Sequence, residues 1–222
     1  EDAEFPSLEI AVRFVSLRRY LDLLLEFVPH IQDQTLIRFK SEIEGRAGAI
    51  TAEELADEIE HTKSMIEDLI PRNFYGAFVL ALFAALEQSV LELARYVKKR
   101  EASPLSLGDL REPATIKRFT LYISTLMGVD PEVPGNLAAE VRALQIVRNV
   151  LAHANGSLID QPPDRRTELE RVVESCSDLK IEGQRLVIYA QFLRRSLAAV
   201  DSYLDALLQQ IDNKYPLPSS AL

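Results

Sequence analysis

The chain has 222 residues, 47% apolar and 27% charged, a balance that excludes a disordered or fibrous protein and allows one large core, or a core domain with an extension. Its net charge of −9 is uneven: residues 1–70 hold 16 acids and 7 bases, whereas residues 71–222 hold 18 of each. Acidity of that size opposes general attraction to nucleic acid, yet it leaves local phosphate binding by clustered Arg open.

With only 8 glycines and a surplus of Leu, Ala, Glu and Arg, the composition favours helix over sheet, and an all-α protein is expected. The single cysteine, Cys176, can make neither an intrachain disulfide nor a cysteine-based zinc site. No basic-then-apolar leader opens the chain, so a cytoplasmic location is expected. The longest apolar-rich run, Phe74 to Leu86, is about 13 residues, too short to cross a bilayer, so no membrane partner is expected.

In chain order, Ile10, Phe14, Leu17, Leu21, Leu24 and Val28 form one stripe of a helix from about Ser7 to Phe27, ending near Pro29. A second helix, Gln34 to Glu44, stops in Gly45 to Gly48, and Thr51-Ala-Glu-Glu54 reads as a capping box opening a third that ends before Pro71. From Asn73, the spacing Phe74, Phe78, Leu82, Leu86, Leu93, Val97 predicts a long central helix closed by Lys98-Lys99-Arg100. A further amphipathic helix spans Ala114 to Met127, stopped by Gly128 and Asp130-Pro131. Asn136 is placed to cap the next, which keeps helical spacing through Leu137, Val141, Leu144, Val147 and Leu151 until the left-handed stop Asn155-Gly156. Asp164 is expected to cap a helix to about Ser177; Leu179 to Ile188 alternates around a glycine as a small β-hairpin; a last helix, Ala190 to Asp212, precedes a frayed tail from Tyr215.

Few residues carry obvious chemistry. His61 closes a Glu58-x-x-His61 step, but a carboxylate di-iron bundle needs two such copies, and an acidic solvated helix face accounts for this one. His30 lies at a helix end without an evident partner. No phosphate loop, dinucleotide fingerprint or nucleophile elbow is present. What remains is Arg148-Asn149-Val150-Leu151-Ala152-His153-Ala154-Asn155-Gly156. Asn149 and His153, four apart, share a helical face; Arg148 starts about 140° from His153 but is long enough to swing toward it. Arg supplies a fixed cationic fork for a phosphate, Asn orients an oxygen, and His in the last turn sits where the helix dipole favours a cation. The same trio also fits a helix end that merely caps carbonyls and pairs with acids.

At these residues the chain resembles the HEPN domains (higher eukaryotes and prokaryotes nucleotide-binding), whose signature is Arg, four to six residues, then His, often with Asn after the Arg. Here it reads Arg148-Asn149-x-x-x-His153. The long apolar helix with Phe83-Ala-Ala-Leu-Glu87, the region Leu107 to Met127, and the closing hairpin and helix follow the same order of elements, so the resemblance covers roughly residues 71 to 215. It implies a HEPN-like helical domain over 71–222 with a small β-hairpin, preceded by a helical extension over 1–70.

The activity implied is a metal-independent, cofactor-free endoribonuclease, commonly a toxin or phage-defence effector, in which two protomers face their Arg/His helices across one cleft. RNA, a second copy of the chain and a cognate antitoxin or regulatory protein are the implied partners. His153 is then the general acid/base, Arg148 the phosphate stabiliser and Asn149 the orienter, with Glu87 and Asn155 in support. HEPN toxins silenced by a partner nucleotidyltransferase often have Tyr two residues after the His; Asn155 stands there, so that control is not expected. The rival readings are an inactive HEPN module for dimerisation, nucleotide or RNA binding, and a helical adaptor or antitoxin whose acidic residues 1–70 engage a basic partner.

Overall fold

The computed structural model describes residues 5–45, 51–112, 115–128, 133–159 and 161–216. Among them are six α-helices and one antiparallel pair of strands. The helices are α1 (Ser7–Glu44), α2 (Ala52–Arg100), α3 (Thr115–Met127), α4 (Gly135–Ala154), α5 (Pro163–Glu174) and α6 (Ala190–Lys214); the strands are β1 (Leu179–Glu182) and β2 (Arg185–Ile188). The chain is therefore all-α with one small hairpin. Described residues within 1–18, 81–145 and 195–222 group into one compact unit, and those within 19–80 and 146–194 into another.

Two helix ends expected from proline do not occur. Pro29 lies inside α1 and Pro71 inside α2, so the first two expected helices are one, as are the third and the long central one. Each proline removes one backbone donor, a penalty of about 3 kcal/mol in a bare helix. Burial on both sides outweighs it: Leu24, Val28 and Ile43 flank Pro29, and Ile66, Arg72, Phe78 and Val79 flank Pro71. The capping box is present as expected, with Thr51 N and Oγ1 donating to Glu54 Oε2 at 2.9 and 2.8 Å and Glu54 N donating to Thr51 Oγ1 at 3.3 Å. These Thr51 donors hold the Glu54 carboxyl below its ordinary range. An 18-residue window in α2 reaches a mean hydropathy of 1.7, long and apolar enough by composition to cross a membrane, and half of it is buried within the protein.

Two smaller expectations are corrected. Asn136 lies inside the first turn of α4, which starts at Gly135, and Asp164 lies in the first turn of α5, where Pro162 holds the cap position and Pro163 the first helical one. Gly48, Ala114, Asp130 and Pro131 fall outside the described residues. Tyr215, the first residue of the expected frayed tail, is packed: its ring meets Tyr96 at 6.2 Å and lies under the Arg100 guanidinium at 5.8 Å.

In the first unit the core is built from Phe83, Leu86, Leu93 and Val97 of α2, Phe119 and Tyr122 of α3, and Leu197, Val200 and Leu204 of α6, all buried. A polar clamp joins α1 to α2 there. Arg13 meets Glu92 with both nitrogens of its fork, at 3.0 and 2.8 Å, and donates to the buried Ser89 hydroxyl at 2.7 Å. Burial pushes the Glu92 carboxyl up, but bonds from Arg13 and Gln88 and the charges of Arg13 and Arg95 outweigh it and hold the group below its ordinary range. Such a carboxylate adds stability above its unfolded pKa of about 4.3 and loses that contribution as pH falls through the lower folded value. Glu92→Gln should therefore lower stability by about 2 kcal/mol at pH 7, with a gap to wild type that closes as pH drops below about 4. Urea unfolding of both proteins across that range measures the gap; one that is constant with pH would exclude the ionised pair as its cause.

Candidate functional site

All four motif residues lie at the C-terminal end of α4, in the second unit. Val147, Val150 and Leu151 are buried and fix the rotation of the helix. Opposite that face, Arg148 and Asn149 are half-buried, while His153 and, just past the helix, Asn155 are exposed. Arg148 Nη1 donates to Asn149 Oδ1 at 3.1 Å, which brings the fork onto the side of the helix that Asn149 shares with His153. The His153 imidazole makes no hydrogen bond or ion pair among the described residues, leaving both ring nitrogens open to a ligand. Glu87 is half-buried on α2, in the other unit.

The helix stop is built as its residues require. Asn155 and Gly156 take φ of +47° and +80°, the left-handed region that Asn tolerates and Gly favours. Asn155 N donates to Leu151 O at 3.0 Å and Gly156 N to Val150 O at 3.4 Å, which closes the last turn around His153. The chain then joins the hairpin: Leu186 N donates to Gly156 O and Leu158 N to Gln184 O, both at 2.9 Å, and Ser157 bridges Arg185. Leu158 and Leu186, both fully buried, pin this isolated bridge. His153 is thus carried on a helix end clasped to the hairpin by a single bridge.

Sequence reading missed the group beneath that clasp. Arg72 of α2 is 9% exposed, and a Cβ on Gly156 would lie 4.0 Å from its Cδ. Its Nη1 donates to Asp68 Oδ2 at 3.2 Å, and Arg185 Nη1 lies 3.7 Å from the same oxygen. One carboxylate therefore serves two guanidiniums, with Glu182 directly across the hairpin from Arg185. The i, i+4 spacing of Asp68 and Arg72 was visible, but a helix end at Pro71 would have separated them. Gly76 of α2 faces Leu151 of α4: a Cβ there would sit 3.4 Å from Leu151 Cδ2, in ordinary contact.

His61 lines a cleft of about 220 Å³ with Ser64, Glu182 and the same Asp68 and Arg185. Among the described residues no three His, Cys, Asp or Glu side chains gather closely enough to hold a metal ion. Cys176 is buried. Chemically, the motif region offers one exposed imidazole, one oriented guanidinium fork and one amide on a rigid helix end, a set suited to binding an anion and exchanging a proton with it. Comparison with protein-family models, curated proteins and solved structures finds no match for this chain.

Proposed function

We propose that this protein is a HEPN-like endoribonuclease that cleaves RNA as a homodimer without a metal ion. The observation that supports the reading best is the Arg148 to Asn149 bond on the helix face that also carries the open His153. In-line cleavage needs a base to take the proton from the 2′-hydroxyl, stabilisation of charge on the phosphorane, and an acid to protonate the departing 5′-oxygen. As O2′ bonds to phosphorus, the P–O5′ bond breaks; the products are a 2′,3′-cyclic phosphate and a 5′-hydroxyl. One chain brings one motif histidine, and a two-fold axis across the cleft supplies the second, so that one imidazole takes a proton while the other gives one. Arg148 from each protomer holds the non-bridging oxygens, and Asn149 aims that fork.

This reading places the protein with toxin or phage-defence nucleases and makes RNA and a second copy its partners. The experiment that tests it is incubation of total RNA with the purified protein in EDTA, beside His153→Ala and Arg148→Ala. Cyclic-phosphate ends from the wild type alone support the reading. A folded wild-type dimer that leaves RNA intact would overturn it in favour of a module that binds without turnover.

A further inference from the structure

The first unit contains a cleft of about 300 Å³ between the C-terminal half of α2, the 3₁₀ turn Leu107–Asp109 and α3. Its walls are Leu91, Ala94, Leu107 and the ring of Tyr122, and among the described residues the charged groups on its lining are Arg95 and Lys98. The size is at the lower end of small-molecule sites, and an apolar body with a few charges is the composition such sites have.

The polar groups around the cleft are largely occupied. The Tyr122 hydroxyl donates to Leu105 O at 2.8 Å, and its buried ring only closes the floor of the cleft. Asp109 accepts from Ser106 N and Oγ at 2.6 and 2.8 Å. Glu92 is held by Arg13 and Gln88, and Glu101 by Lys214 and Tyr215. Neither Arg95 nor Lys98 makes an ion pair among the described residues, although the charge of Asp109 reaches Lys98 and that of Arg95 reaches Glu92. Two cations one helical turn apart thus sit at the rim of an apolar cleft, with the nearby acids engaged elsewhere.

We propose that this cleft binds a small amphipathic anion: an aliphatic or aromatic tail against Leu91, Ala94, Leu107 and Tyr122, and a carboxylate against Arg95 and Lys98. Tail burial supplies most of the affinity, and the two cations select the charged head over a neutral one of the same length. The site is in the unit that does not contain Arg148 and His153, and it stands whether or not the chain cleaves RNA.

Decanoate is a suitable probe, with decan-1-ol as its neutral match, followed by calorimetry and thermal unfolding. The expected result is saturable one-site binding of decanoate, at least tenfold weaker binding of decanol, and about a tenfold loss for Arg95→Gln or Lys98→Gln. Gly108→Leu provides a second, independent variant. A Cβ at Gly108 would meet only Ser106 Oγ, at 3.8 Å, so a larger side chain can enter the cleft mouth and should abolish binding while the protein remains folded. Equal binding of decanoate and decanol, undiminished binding by Gly108→Leu, or no saturable binding to the folded protein would each overturn the proposal.

Discussion

His153→Ala should lower the rate of RNA cleavage by about 10²- to 10⁴-fold, the range typical for removal of a general acid or base. The imidazole is exposed and unbonded among the described residues, so its loss leaves no buried partner stranded and the fold should melt as the wild type does. The effect is then chemical and not structural. Arg148→Lys keeps the charge but loses the fork, and with it the bond to Asn149 Oδ1; a fall of about 10²-fold is expected, because a point charge cannot grip two phosphate oxygens at once. If two protomers build one site, mixtures of wild-type and His153→Ala chains have a further property. Activity falls with the square of the wild-type fraction when each dimer needs both histidines, and linearly when each chain works alone. A linear fall would leave His153 catalytic but remove the shared cleft.

How much of this was legible in the sequence depends on the range of the interaction that decides each feature. Local chemistry was readable. Thr51 and Glu54 cap α2, Asn155 and Gly156 stop α4, and Gly183, with φ of +59°, turns the hairpin between Leu179 and Ile188, all from signals within a few residues. The prolines misled because their cost is local, whereas the burial that overrides it comes from distant parts of the chain. Leu24, Val28 and Ile43 bury around Pro29, and Ile66, Phe78 and Val79 around Pro71.

The site divides in the same way. Arg148, Asn149 and His153 were placed by helical spacing within one element, and that spacing is what the structure contains. Arg72, Asp68 and Arg185 come from two elements more than a hundred residues apart, so no periodicity could reveal that they meet under Gly156. The bridge from Ser157 to Arg185 was equally invisible. A single-residue bridge has no periodic pattern to stand out, and only the backbone bonds of Leu158 and Leu186 on either side mark it.

That clasp makes Gly156 the position where stability and activity should fall together. At φ of +80° an L side chain costs about 1 to 2 kcal/mol, and a β-branched one more. Space adds to the cost: a Cβ there would touch Leu151 Cδ2 and Leu186 O at 3.7 Å and Arg72 Cδ at 4.0 Å, so both methyls of valine must enter an occupied volume. Gly156→Val should therefore destabilise the protein by about 3 to 4 kcal/mol, a Tm fall of roughly 6 to 16 °C for a chain of this size. Gly156→Ala, with the backbone strain but little crowding, should lose about half as much. Relief of strain requires the last turn of α4 to unwind, because the Gly156 N to Val150 O bond depends on the left-handed conformation. His153 lies in that turn, so cleavage by the folded fraction should drop as well, with Arg148 and His153 both still present. Thermal unfolding and RNA cleavage measured on the same preparations separate the cases. A Gly156→Val protein as stable and as active as the wild type would show that the clasp does not hold the histidine in place.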